Sequence, residues 1–212
     1  MANQGVYHRE QGAFRTDYID KLALALRSNE FVGPSPLGPE FVNTEGFSLV
    51  FRRDALAEVI SGFPVLEEYL SRVIFDSCNA FYLNPLIMRR SSAVRSHIDC
   101  RLIESENIRV IPNLVSILYV RADPDVKGGN LTFNVENDSV VSLKPNSNDL
   151  VYFRGDVVHS VSEIKENTTR ISLVCEQYNL SQDLLCRFPH LSLITDSDLL
   201  PRVSPISDLS AN

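Results

Sequence analysis

A chain of 212 residues with 44% apolar side chains can bury a full core, and all-β barrels of this size commonly form one domain. Its formal net charge of -7, without a block of five like charges, speaks against a nucleic-acid partner, because such binding runs on clustered Lys and Arg. No apolar run reaches the roughly 18 residues of a membrane span. Met1 to Arg15 lacks the apolar stretch of a secretory signal, and Cys78, Cys100, Cys175 and Cys186 form no CxxC pair. These features lead us to expect a cytoplasmic protein with free thiols, no membrane partner and no cysteine-built zinc site.

Asp17 to Ser28 places Ile19, Leu22, Ala23 and Leu26 at i, i+3, i+4 and i+7, which predicts a helix that stops before the Gly- and Pro-rich loop Gly33 to Pro39. A short strand is expected over Gly46 to Phe51. A second helical stretch follows from Asp54 to Val73, broken near Pro64, where the ring removes a helix hydrogen bond. From Ala80 onward, β-branched and aromatic runs alternate with turn residues. They predict strands at Phe81–Arg89, Ser96–Leu102, Leu114–Arg121, Asn130–Val135, Ser139–Leu143, Leu150–Phe153, Val157–Ile164 and Thr169–Tyr178. Breakers such as Ser91-Ser92, Gly128-Gly129 and Asn137-Asp138 separate them. Eight strands after a helical lead-in describe an α+β, mainly β fold, a jelly-roll barrel in a single domain. Residues 1–79 form its helical support and 80–180 its core. The tail, 181–212, with Pro189, Pro201 and Pro205, is expected to be irregular.

The chain has four histidines, and two fall in predicted strands: His97 within Arg95-Ser96-His97-Ile98-Asp99, and His159 within Asp156-Val157-Val158-His159-Ser160. Residues i and i+2 of a strand share a face, so His97 and Asp99 present an imidazole and a carboxylate together. His159 from an adjacent strand completes two imidazoles and one carboxylate, a facial set that leaves three positions open and suits non-haem Fe(II). Alone, an H-x-D triplet is a common accident, and a strand histidine bonded to a core aspartate is more often structural. Eleven residues past His159 stands Arg170, which shares a strand face with Ser172. A guanidinium fork beside a hydroxyl is a receptor for a carboxylate. The competing reading of Arg170 is a surface ion pair with Glu163 or Glu166.

The ordered set SHIDCRL, VSILYVRADPDVKGGNLTF, KPNSNDLVYFRGDVVHSVSEI and TRISLVCEQY resembles the Fe(II)- and 2-oxoglutarate-dependent dioxygenases, in particular their prolyl-4-hydroxylase-like branch. The resemblance runs from Arg95 to Tyr178, about two-fifths of the chain. It implies a double-stranded β-helix in which His97, Asp99 and His159 bind Fe(II). Arg170 would hold the distal carboxylate of 2-oxoglutarate, with hydrogen bonds from Ser172 and Tyr119. It further implies consumption of O2, with succinate and CO2 as co-products, and hydroxylation rather than halogenation, since Asp99 keeps a carboxylate where halogenases have a small residue. Two departures stand out. Leu86-Ile87-Met88-Arg89 replaces a stretch where many prolyl hydroxylases carry tyrosine, and the clamp is Arg where the collagen-type enzymes use Lys. A basic cluster of Arg89, Arg90, Arg95 and Arg101 flanks the H-x-D strand, as a substrate-carboxylate clamp or a solvated edge. The expected substrate is a small organic molecule such as a free amino acid or related metabolite. The alternatives are a peptidyl residue or a cupin-like metalloprotein with other chemistry.

Overall fold

The computed structural model describes residues 5–99, 110–135 and 139–196. Helix α1 (Thr16–Arg27) buries Tyr18, Ile19, Leu22 and Leu26 along one stripe, with Asp17 in its first turn and Arg27 in its last, both favourable to the helix dipole. The second helical stretch breaks at proline as expected. A 3-10 turn leads into α2 (Leu56–Gly62), and Pro64 opens a further 3-10 turn (Pro64–Leu66) before α3 (Glu67–Val73). The helices pack through Leu22, Leu26, Val59, Tyr69, Leu70 and Val73 onto one face of the sheet.

The strands are β1 (Tyr7–Gln11), β2 (Gly33–Pro34), β3 (Phe41–Gly46), β4 (Ser48–Arg52), β5 (Ala80–His97), β6 (Leu114–Arg121), β7 (Leu131–Val135), β8 (Ser139–Leu143), β9 (Asp149–Phe153), β10 (His159–Val161), β11 (Arg170–Tyr178) and β12 (Leu191–Ile194). They pair antiparallel in the order β1-β9-β6-β11-β5-β10-β7-β8, with β3 and β4 on the other edge of β5. The first half of β5 pairs with β11 and its last residues with β10, so one strand runs from the larger sheet into the smaller and forms the seam of the barrel. Leu86, Ile117, Tyr119, Phe133, Val151 and Phe153 belong to the cluster that fills the space between the sheets. This is the expected jelly roll.

Several boundaries differ from those the sequence suggests. Phe81–Arg89 and the described part of Ser96–Leu102 belong to one strand, β5; residues 100–102 lie outside the described residues. Ser91 takes φ +68° but acts as a bulge, not a turn, because its N–H donates to Ile164 O (2.7 Å) and Ser92 O accepts from Ile164 N (3.0 Å). Asn137-Asp138 also lies outside the described residues. The strand expected at Val157–Ile164 shortens to β10, and the segment Tyr7–Gln11 is a strand despite its polar sequence. The tail is not irregular through residue 196: α4 (Gln182–Arg187) is followed by β12, which pairs with β4 from Leu191↔Phe51 to Ile194↔Ser48. The guanidinium of Arg52 donates to Phe188 O at 2.9 and 2.6 Å and pins this return. Among the described residues, no helix is long and apolar enough to cross a membrane.

Candidate active site

His97 ends β5 and His159 opens β10, and the two are register partners across the seam. Their rings lie 4.4 Å apart between centroids. Asp99 falls just past the end of β5 rather than within the strand, yet it turns to the same side. One ligand atom from each of His97, Asp99 and His159 lies within 4.8 Å of the others. His97 Nδ1 sits 2.8 Å from Arg95 O and His159 Nδ1 3.0 Å from Val157 O. With Nδ1 protonated, each ring donates to its own strand's carbonyl and turns the Nε2 lone pair inward, which fixes the tautomer a metal ligand needs. His97 Nε2 is 3.2 Å from Asp99 Oδ1, and His159 Nε2 is 3.6 Å from Asp99 Oδ2.

These groups are poorly satisfied by one another. His97 Nε2 and Asp99 Oδ2 are buried without a hydrogen-bond partner. Each such atom costs about 1–3 kcal/mol, and a divalent cation would satisfy both. Two imidazoles and a carboxylate with open positions beyond them suit Fe(II). Burial pushes the His159 imidazole below its ordinary range, with Asp99 pulling the other way. At His97 burial also disfavours the charged ring, but the Asp99 carboxylate and the Arg95 carbonyl together outweigh it, and the net direction is upward. Aromatic edges shield the pair. Phe41 packs on His97 at 5.2 Å and Phe153 on His159 at 4.8 Å.

Arg170 is the first residue of β11 and points into the barrel. It is 4% exposed, so the surface pairing with Glu163 or Glu166 does not occur. Its Nη1 donates to Gly129 O at 2.6 Å, and its guanidinium carbon lies 4.7 Å from the centre of the Tyr119 ring. Gly129 N in turn donates to Ser162 O at 3.0 Å, which ties the guanidinium to the chain just beyond His159. Gly128 makes this approach possible. At φ +90°, a Cβ there would stand 1.7 Å from Glu163 O. Ser172 is the register partner of Tyr119, but its hydroxyl donates over a long 3.4 Å to Leu86 O. Arg170 Nε and the Tyr119 hydroxyl are buried with no partner. Burial lowers the Arg170 pKa, opposed by Tyr119, and burial raises the Tyr119 hydroxyl, opposed by Arg170. The result is a pair of unsatisfied donors with a net positive charge, the complement of a carboxylate.

The described members of the basic cluster do not enter this site. Arg89 pairs with Glu45 at 2.8 Å on the surface, Arg90 is exposed, and Arg95 is exposed with a 3.5 Å contact to Pro39 O. Arg101 and Cys100 lie outside the described residues. Cys78, Cys175 and Cys186 are free thiols. Sequence reasoning missed β1, whose Tyr7 stacks on Phe133 at 5.2 Å and whose Arg9 forms an ion pair with the buried Asp149. Tyr-His-Arg-Glu-Gln carries one apolar residue in five, too few to signal a strand by alternation.

No protein-family model matches the sequence, and no curated protein matches it. Solved structures do match the fold. A prolyl-4-hydroxylase from Pseudomonas putida aligns with TM-score 0.58 and 17% identity over 84% of this chain and 95% of that one. A viral collagen prolyl hydroxylase from Paramecium Bursaria Chlorella virus-1, in complex with 2-oxoglutarate, aligns with TM-score 0.54 and 14% identity over 84% and 99%. HygX from Streptomyces hygroscopicus, with nickel, 2-oxoglutarate and hygromycin B bound, gives TM-score 0.56 and 10% identity over 84% and 89%. This chain therefore has the fold of the 2-oxoglutarate- and Fe(II)-dependent oxygenases, prolyl-4-hydroxylases among them.

Proposed function

We propose that this protein is an Fe(II)- and 2-oxoglutarate-dependent oxygenase that hydroxylates a small organic substrate. One observation carries the reading. Five buried side-chain polar atoms lack a partner among the described residues, and four of them sort into two chemical sets. His97 Nε2 and Asp99 Oδ2 belong to a metal-binding set, and Arg170 Nε and the Tyr119 hydroxyl to a carboxylate-binding one. A keto acid with a second carboxylate is the ligand that answers both.

In this reading Fe(II) with 2-oxoglutarate supplies the oxidative decarboxylation to succinate and CO2 and the hydroxylation of a C–H bond. The chain's part is to bind, orient and exclude water. His97, Asp99 and His159 would hold the metal. Arg170 and Tyr119 fix the far end of the co-substrate, with Ser172 beside them, while Phe41, Phe133 and Phe153 keep the metal side dry. Asp99 would supply an anionic ligand where halogenases have a small residue, which favours hydroxylation. The free thiols are in keeping with a reducing, cytoplasmic setting.

A hydroxylase of a peptidyl residue is the second reading, favoured by the fold shared with prolyl-4-hydroxylases. A cupin-like metalloprotein with other chemistry would have no use for the buried Arg170. The test is Fe(II)-dependent succinate release from 2-oxoglutarate, screened against amino acids, peptides and nucleobases, with mass spectrometry of the product. The expected product gains one oxygen atom from O2 and is unchanged by chloride. Metal uptake without binding of 2-oxoglutarate, or a chlorinated main product, would overturn the reading.

A further inference from the structure

The N-terminal strand reaches into the barrel. β1 pairs with β9 through Tyr7↔Phe153 and Arg9↔Val151, and both β9 residues belong to the inner cluster. Tyr7 and Arg9 therefore face inward, while His8 stacks on Tyr152 and Glu10 pairs with Arg72 on the opposite face. Arg9 Nη2 forms its ion pair with Asp149, whose side chain is 1% exposed. Asp149 is the register partner of Tyr119 across β6 and β9. The pair thus draws the Arg9 guanidinium toward the row of side chains that holds Tyr119.

Asp149 does not use up Arg9. Its Oδ2 also accepts from Asn146 N at 2.6 Å, and Arg9 Nε stays buried without a partner. Three unsatisfied donors, Arg170 Nε, the Tyr119 hydroxyl and Arg9 Nε, thus come from β11, β6 and β1, with Tyr119 under the Arg170 guanidinium and in register with the aspartate that holds Arg9, so that both positive charges act on its hydroxyl. Two guanidinium groups acting on one hydroxyl, each with a donor that lacks an acceptor, suit an anion, and a carboxylate has lone pairs enough for all three donors. Asp149 has a further effect: by partly neutralising Arg9 it lets a second guanidinium sit in a site that already buries Arg170.

From this we infer that Arg9 is a second basic contact for the distal carboxylate of 2-oxoglutarate, sharing it with Arg170 and Tyr119, so that β1 completes the co-substrate site. The inference rests on the oxygenase reading above and adds a specificity determinant from the far end of the chain. Arg9→Lys is the informative variant. Lysine retains the charge that Asp149 needs but has no Nε–H of the guanidinium kind, so a purely structural role is rescued and a binding role is not.

Anaerobic calorimetry on the Fe(II)-loaded protein should show 2-oxoglutarate binding roughly tenfold or more weaker in Arg9→Lys, the size of one lost hydrogen bond to a charged group. Binding of 2-oxobutyrate, the same keto acid end without the distal carboxylate, should be unchanged, as should the melting temperature of the ligand-free protein. Wild-type affinity for 2-oxoglutarate in both Arg9→Lys and Arg9→Gln, alongside a loss in Arg170→Lys, overturns the inference and leaves the oxygenase reading standing. Equal weakening of both ligands in Arg9→Lys also overturns it, because β1 then acts on the fold and not on the carboxylate. Failure of the wild-type protein to bind 2-oxoglutarate removes both.

Discussion

Replacing Arg170 with Met tests whether its buried charge serves binding or folding, because the two roles predict different patterns. In the folded protein the guanidinium is 4% exposed and holds one hydrogen bond, to Gly129 O at 2.6 Å, plus the face of Tyr119 at 4.7 Å. Losing the hydrogen bond and leaving Gly129 O bare costs about 1.5–3 kcal/mol. Losing the cation–π contact costs about 1–2 kcal/mol more. Against this stands relief from burying a charge that has no carboxylate partner among the described residues, a penalty of several kcal/mol for an ion held in the interior. Met fills similar volume and the opposing effects nearly cancel, so ligand-free stability should change by roughly 2 kcal/mol at most. For a chain of this size that is a shift of about 4–8 °C in melting temperature, of either sign.

Affinity for 2-oxoglutarate has no such cancellation. Two charge-assisted hydrogen bonds in a dry site amount to about 3–6 kcal/mol, so binding should weaken by a factor of roughly 100 or more. Arg170→Lys should fall between, because a point charge cannot reproduce the fork. Calorimetry of 2-oxoglutarate binding and thermal melts of the same protein samples give both quantities. An Arg170→Met protein that binds 2-oxoglutarate as the wild type does, or that collapses in stability in proportion to its loss of affinity, would refute the reasoning.

Two further predictions concern the metal. His97→Ala and His159→Ala should each abolish tight Fe(II) binding and succinate release while circular dichroism stays that of the wild type, and full activity in either would show that it is no ligand. Metal affinity should also depend on pH. The His97 imidazole, raised on balance by Asp99, must lose its proton to bind, whereas burial already favours the neutral form of His159. Affinity should therefore rise with pH up to a plateau above the ordinary histidine range, with release of about one proton below it. Calorimetry in buffers of different ionisation enthalpy counts that proton, and metal binding that is indifferent to pH across this window would count against the ligand set.

Much of this site is legible in the sequence because strands make local rules reach far. Arg-x-Ser places two side chains on one face of β11, as the strand period requires, whereas Asp99 stands past the end of β5 and reaches the side of His97 without that rule. The strands Leu114–Arg121 and Ser139–Leu143 keep the bounds their β-branched runs suggest. What escaped is set by pairing rather than pattern. Ser91-Ser92 reads as a break, yet hydrogen bonds to both sides of Ile164 hold β5 continuous through it. Tyr7–Gln11 has no apolar alternation, and it is a strand because β9 would otherwise offer a bare edge. Leu191–Ile194 is short and sits among prolines, and only its partner β4 makes it a strand. Arg9 belongs to the same class, since its place beside Asp149 follows from a pairing across 140 residues of chain.

The rigidity of the site follows from where its members stand. His97 and His159 are register partners, so the backbone ladder of the seam sets their separation before any metal arrives. Arg170 opens a strand that pairs along its length with β5 on one side and β6 on the other, and that second ladder also carries Tyr119. Unsatisfied polar atoms at about 1–3 kcal/mol apiece would favour local rearrangement on a loop; for His97, Tyr119 and Arg170, which stand on paired strands, relieving them would break ladder hydrogen bonds as well. The ladders therefore hold the donors and ligands apart from partners of their own. A metal and a dicarboxylate that satisfied them would bind only the folded state, and by mass action would return stability as RT ln(1 + [L]/Kd). The same preorganisation that leaves these atoms unsatisfied would let such ligands bind without first ordering the chain.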